Sequence, residues 1–236
     1  QNLAIGEEKT LETGKTEQES VTEKDINMNE KESFNAESNI NDVIHDSAFD
    51  NYGRLIFPVD MEIEDNLKLK DVSSILPWYS EVNNDKTVEI VNYMKNQAMN
   101  GEQIFYPIYS EEEMQADANK KDTGLFFFRG NAGAKTTIIN AGGGFVYVAG
   151  IHDSFPHALE LSKKGYNAFA LIYRPGAQTA CEDLARAIRF IFDHADELEV
   201  DTDCYSLWGG SAGARMAAWL GSYGAEAFGG GNLPRP

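Results

Sequence analysis

A glycine-flanked serine constrains what this chain can fold into more than any other feature. Gly209-Gly210-Ser211-Ala212-Gly213 follows Cys204 to Trp208, which reads as a buried strand, and opens an apolar, alanine-rich run from Ala212 to Leu220. Strand, G-x-S-x-G turn and helix in succession form the setting of a nucleophile elbow. Such a turn forces its serine into a strained backbone conformation, and the residues two before and two after it must lack bulk. Gly209 and Gly213 meet that demand. The following helix directs free N–H groups and its positive dipole end at the serine, where an oxyanion would form.

The surrounding rhythm is that of an α/β protein. The spacing predicts a strand over Thr136–Asn140 and a helix over Phe155–Lys164 closed by Gly165. It then predicts a strand over Ala168–Tyr173, a helix over Cys181–Ala195, the elbow strand, and a helix over Ser211–Tyr223. Near-continuous apolar strands alternating with helices imply a mostly parallel sheet covered on both faces. Upstream, Arg54 to Val59 reads as extended. Asp85 to Asn100 reads as a helix, with Val88, Val91, Met94 and Ala98 on one face, Asn84 as its cap and Gly101 as its stop. Ile104–Tyr109 and Leu125–Arg129 are aromatic-rich strand candidates separated by a polar loop.

A second motif supports the first. Asn140-Ala141-Gly142-Gly143-Gly144-Phe145 lies at the end of an earlier strand, where a triple-glycine turn can present backbone N–H groups to a carbonyl oxygen without Cβ obstruction. A phosphate loop would lead straight into a helix and usually bring a lysine. Phe145-Val146-Tyr147-Val148 follows instead, which favours an oxyanion hole over a phosphate or merely flexible loop.

Taken in order, Gly142-Gly143-Gly144-Phe145, Tyr173-Arg174-Pro175, Glu182-Asp183 and the elbow resemble the α/β-hydrolase serine esterases, in particular the hormone-sensitive-lipase-like branch with its HGGG and GDSAG motifs. The resemblance covers residues 104–236. It implies an α/β-hydrolase fold, Ser211 as nucleophile, and the N–H groups of Gly143, Gly144 and Ala212 as oxyanion donors. Ala141 stands where that branch usually has His, and Gly210 where it usually has Asp. Neither position supplies an essential proton. A sister group of secreted or envelope hydrolases fits equally.

The triad is the difficulty. In this fold the acid and the histidine follow the serine. Only Glu226, and no histidine, follows Ser211. The chain is therefore expected to stop short of the C-terminal strands that carry both partners, and to be inactive by itself. Upstream, His152 and His157 are the candidate bases, although a loop position and a helix face explain them more simply. Asp153 reads as a helix starter. Glu182 and Asp183 read as carboxylates favoured at a helix N-terminus. His194 is expected far from the serine, and Trp208 in the core. Leu76-Pro77-Trp78-Tyr79 could cap the pocket or simply pack on the sheet.

Charge and composition narrow the partners. The chain has 236 residues and a net charge of −18, of which residues 1–50 contribute 13 acidic against 4 basic side chains. That balance argues against nucleic acid, which requires Lys and Arg. No run of eighteen apolar residues suits a membrane span, and no Cys/His cluster has metal-ligand spacing. No cofactor is expected. Cys181 and Cys204 fall at opposite sheet edges and are expected to be free, buried thiols. The expected division is an acidic, disordered tether over 1–48, an N-terminal extension or cap-like segment over 49–103, and the hydrolase domain over 104–236. Such a tether suits an extracellular or envelope-attached protein, with the cytoplasm as the alternative. Two functions follow: a hydrolase acting on small carboxylic esters, or a non-catalytic binding module on the same scaffold.

Overall fold

The computed structural model describes residues 33–79 and 81–236. The tether expected over 1–48 lies outside these residues as far as residue 32. From there the chain is packed: helix α1 (Ile40–Ile44) buries Ile40 and Val43, and Asn39 caps it by accepting the Asn41 N–H. Gly53–Ile56 forms a tight 3₁₀ turn in place of the expected extended segment, with Leu55 and Ile56 turned inward. Helix α2 (Asn84–Met99) is capped by Asn83, one residue before the expected Asn84, and Gly101 follows it at a φ of 82°.

Among the described residues the sheet has five strands in the order β1-β2-β4-β3-β5. Strand β1 (Phe105–Tyr106) pairs antiparallel with β2 (Gly124–Phe128), and the polar connection between them contains the short helix α3 (Glu111–Ala116), closed by a Ser110/Glu113 capping box. β2 is antiparallel to β4 (Asn167–Ile172). β4 and β5 (Asp201–Gly209) both run parallel to β3 (Lys135–Asn140), which lies between them.

This order dictates where the helices lie. From β3 to β4 the chain steps one way across the sheet; from β4 to β5 it steps back past β3. Right-handed crossovers therefore place the two connecting helices, α4 (Phe155–Lys163) and α5 (Ala177–Asp193), on opposite faces. Every residue of β2 and β4 is buried, as a sheet covered on both sides requires. Phe126 and Phe128 of β2 pack on Phe155 of α4, with ring centres 4.9 and 5.7 Å apart, and Tyr93 of α2 stacks on Phe128. On the other face Phe127 stacks on Phe169 at 4.1 Å. After α5 the short helix α6 (Ala195–Leu198) leads into β5, and α7 (Ala212–Tyr223) packs against both β5 and α5.

Strand β5 is not the buried strand that its composition suggests. Among the described residues β3 is its one strand neighbour, and Trp208 is 43% exposed. It also bulges. Lys135 pairs with Asp201 but Thr137 with Ser206, and Cys204, within the irregular stretch, takes a φ of 53°. Both cysteines are free, but only Cys181 is buried; Cys204 is exposed. Burial, helped by Glu182, pushes the Cys181 thiol up to about 11. A thiol-specific alkylating reagent at pH 8 should modify Cys204 in the native protein and Cys181 only after unfolding. Mass spectrometry of peptides taken at intervals checks this, and prompt modification of Cys181 would refute it.

Helix α5 begins four residues earlier than its apolar spacing suggests, after Gly176 at a φ of 95°. Glu182 and Asp183 are consequently well inside the helix and not at its positive end. Asp183 is fully buried, and its carboxylate accepts hydrogen bonds from the Arg174 backbone N–H (2.8 Å), from Arg174 Nη2 (2.7 Å) and from the Tyr109 hydroxyl (2.6 Å). This network ties the turn after β4 to the segment after β1.

Candidate active site

The serine turn is as tight as the glycine spacing requires. Ser211 sits between β5 and α7 at φ 48°, ψ −115°, a conformation that L-residues avoid unless the surroundings impose it. The surroundings do impose it. A Cβ on Gly213 would lie 1.9 Å from the Asn140 carbonyl oxygen, and one on Gly209 would lie 2.3 Å from the Gly213 carbonyl carbon. The Gly210 N–H donates to that same Asn140 oxygen at 3.2 Å, and the Asn140 side-chain amide donates to the Trp208 carbonyl at 2.9 Å. The end of β3 thus clamps the serine turn.

Several contacts fix the glycine loop after β3, among them three that tie it to other segments. The buried Tyr173 hydroxyl donates to the Ala141 carbonyl, the Ala149 N–H donates to the Gly142 carbonyl at 3.1 Å, and the Gly142 N–H donates to Asp153 Oδ2 at 2.8 Å. Gly143 adopts a φ of 145° so close to the Tyr147 carbonyl that a Cβ there would lie 1.9 Å from its oxygen. Within this framework the amides of Gly143, Gly144 and Ala212 form no hydrogen bond with any described residue. Gly143, Gly144 and Ser211 line one open cleft of about 340 Å³, together with Trp78, Tyr79, Tyr147, Asp153 and Gly210. A larger groove, about 810 Å³, lies between the N-terminal segment and β1 and contains none of these groups.

Asp153 does not act as a helix starter. It lies in a π-helical turn, Gly150–Ser154, that precedes α4, and its carboxylate reaches under the glycine loop. A Cβ on Gly210 would meet Asp153 Oδ2 at 2.7 Å, so the carboxylate fills the space that a side chain at 210 would need. Sequence spacing had no means of pairing positions 153 and 210. The unusual glycine at 210 was the available clue.

The histidines are placed elsewhere. His152 is buried with Nε2 2.9 Å from the Val72 carbonyl, and burial holds its pKa below the ordinary imidazole value. His157 is exposed, with Nδ1 on the Asp153 carbonyl; His45 and His194 each face a backbone carbonyl one turn earlier. None of the four lines the serine cleft. The cleft wall comes instead from the segment before α2. Trp78 and Tyr79 reach it, and Trp78 Nε1 donates to the Tyr147 hydroxyl at 2.5 Å. Among the described residues no group of three or more His, Cys, Asp or Glu side chains could hold a metal ion, and no helix is long and apolar enough to cross a membrane.

Strand order, flanking helices and a serine turn at the end of β5 define an α/β-hydrolase fold. Residues 129–231, fewer than half of the chain, match the BD-FAE family, an esterase family of that type. No curated protein matches the chain significantly. Among solved structures, Thermogutta terrifontis esterase 2 in its apo form is 27% identical over 42% of this chain and 41% of its own, with a TM-score of 0.39. An acetyl ester-xyloside bifunctional hydrolase from Caldicellulosiruptor lactoaceticus is 24% identical over 50% of this chain and 46% of its own, with a TM-score of 0.45. The chain therefore spans less than half the length of either structure.

Proposed function

We propose that this protein is a serine hydrolase of carboxylic esters with Ser211 as nucleophile. The observation that carries the reading is the shared cleft: a serine held at φ 48° faces the same space as two glycines whose amides are unbonded. In this mechanism Ser211 Oγ attacks the ester carbonyl carbon, the π pair moves onto the carbonyl oxygen, and the hydroxyl proton passes to a general base. The amides of Gly143, Gly144 and Ala212 hold the resulting oxyanion, the alcohol leaves, and water releases the acyl group. Each such donor is worth roughly 3–4 kcal/mol of barrier in comparable sites, so the geometry of the glycine loop weighs heavily beside that of the serine. The match of residues 129–231 to an esterase family supports the same assignment.

The described residues bring no histidine to the serine cleft. The decisive experiment therefore reads the nucleophile directly. In the full-length protein a fluorophosphonate probe should attach covalently to Ser211, located by peptide mass spectrometry, and a Ser211→Ala variant should stay unlabelled. A probe that leaves Ser211 unmodified refutes the assignment and favours a binding module on the same scaffold.

A further inference from the structure

We propose that Tyr79 supplies a side-chain hydrogen bond to the oxyanion, adding a donor from the N-terminal segment to the backbone amides. The inference rests on Ser211 being the nucleophile.

Position comes first. Tyr79 lines the serine cleft. A methyl group placed on Gly142 would lie 2.7 Å from Tyr79 Oη and 3.2 Å from Ser211 Cβ. The phenol oxygen and Ser211 Cβ, with the Gly210 carbonyl oxygen at 3.3 Å, thus crowd the same side of Gly142, and the oxygen and Cβ lie less than about 6 Å apart. A substrate carbonyl under attack by Ser211 would enter the open cleft that both residues line.

Bonding comes second. Tyr79 Oη has no hydrogen-bond partner among the described residues, although the two other tyrosines here are engaged: Tyr173 donates to Ala141, and Tyr147 accepts from Trp78. The O–H faces the open cleft and is free to donate to a group that enters it. Burial first, then the nearby Asp153 and Tyr147, raise the Tyr79 pKa well above the ordinary phenol value. The group therefore keeps its proton at neutral pH and can only donate to, never repel, a developing negative charge.

Placement of the ring comes third. The Tyr79 N–H donates to the Leu76 carbonyl at 2.9 Å, closing a turn on the fully buried Leu76, and its ring lies 5.9 Å from that of the buried His152. The phenol is aimed from a braced turn, so little reorganisation is required when the charge forms.

The test uses the full-length protein as wild type, Tyr79→Phe and Ser211→Ala. Each is treated with a small alkyl fluorophosphonate, whose phosphoryl oxygen gains negative charge as Ser211 attacks. Tyr79→Phe keeps the ring and its packing, so its melting curve should match that of the wild type. Its rate of Ser211 labelling should fall roughly 10- to 100-fold, while the concentration giving half-maximal rate moves by less than about twofold. A Tyr79→Phe rate within about twofold of wild type overturns the role of Tyr79 and leaves Ser211 standing. A rate loss matched by the same loss of reversible binding also overturns it, because the phenol would then hold the ground state equally. Wild-type protein that is unlabelled at Ser211, or labelled no faster than Ser211→Ala, overturns both readings together.

Discussion

Asp183→Ala should lower the unfolding free energy by about 3–5 kcal/mol, the usual cost of leaving one member of a buried ion pair unpartnered. Asp183 is fully buried and Arg174 nearly so, with a side chain 11% exposed. The carboxylate accepts from the Arg174 guanidinium, the Arg174 backbone N–H and the Tyr109 hydroxyl. Removing it strands a cation and two further donors in an environment with little water. Asp117 lies 3.1 Å from Arg174 Nη1 but is itself 41% exposed, so it can offset only part of the loss. Urea unfolding followed by circular dichroism checks the figure, and a loss below about 1 kcal/mol would contradict it. Such an outcome would mean that Arg174 turns outward to solvent once its partner is gone.

Gly213→Ala should be at least as damaging, although it adds a single methyl group. The new carbon would sit 1.9 Å from the Asn140 carbonyl oxygen, and that contact is with backbone and not with a movable side-chain tip. Relief requires α7 to move away from the end of β3, which also releases the Gly210 N–H from the same oxygen. Overpacking inside a well-filled core typically costs about 1–3 kcal/mol. Here the obstacle is main chain on both sides, so a loss above about 4 kcal/mol or failure to fold is expected. Soluble expression and the urea midpoint against wild type provide the measurement. A variant of near-native stability would show that the serine turn is looser than this geometry requires.

The parts of the fold that were readable from sequence are those governed by local pattern. The run from β3 to α7 alternates in hydrophobic period, and each element lies within a few residues of its expected place. The tight serine turn was legible because backbone sterics admit glycine at 209 and 213 and resist other residues. What stayed hidden depends on neighbours in space. Trp208 and Cys204 look like core residues by composition, yet both are exposed among the described residues. The first turn of α5 carries no apolar stripe, so its start, and with it the burial of Asp183, went unseen. Tyr79 and Asp153 reach the cleft from segments distant in sequence, and only the packing of the turn before α2 and the π-helical turn before α4 brings them there.

The carboxylate beneath the glycine loop has one further consequence. Positions 153 and 210 compete for one volume, and Asp153 now occupies it. Giving residue 210 a side chain would displace Oδ2 from the Gly142 N–H, loosening the loop whose amides flank the serine, before any substrate was touched. The two positions are therefore tied as a pair, each setting what the other can tolerate. A change at either one can therefore reach the glycine loop through the Gly142 N–H.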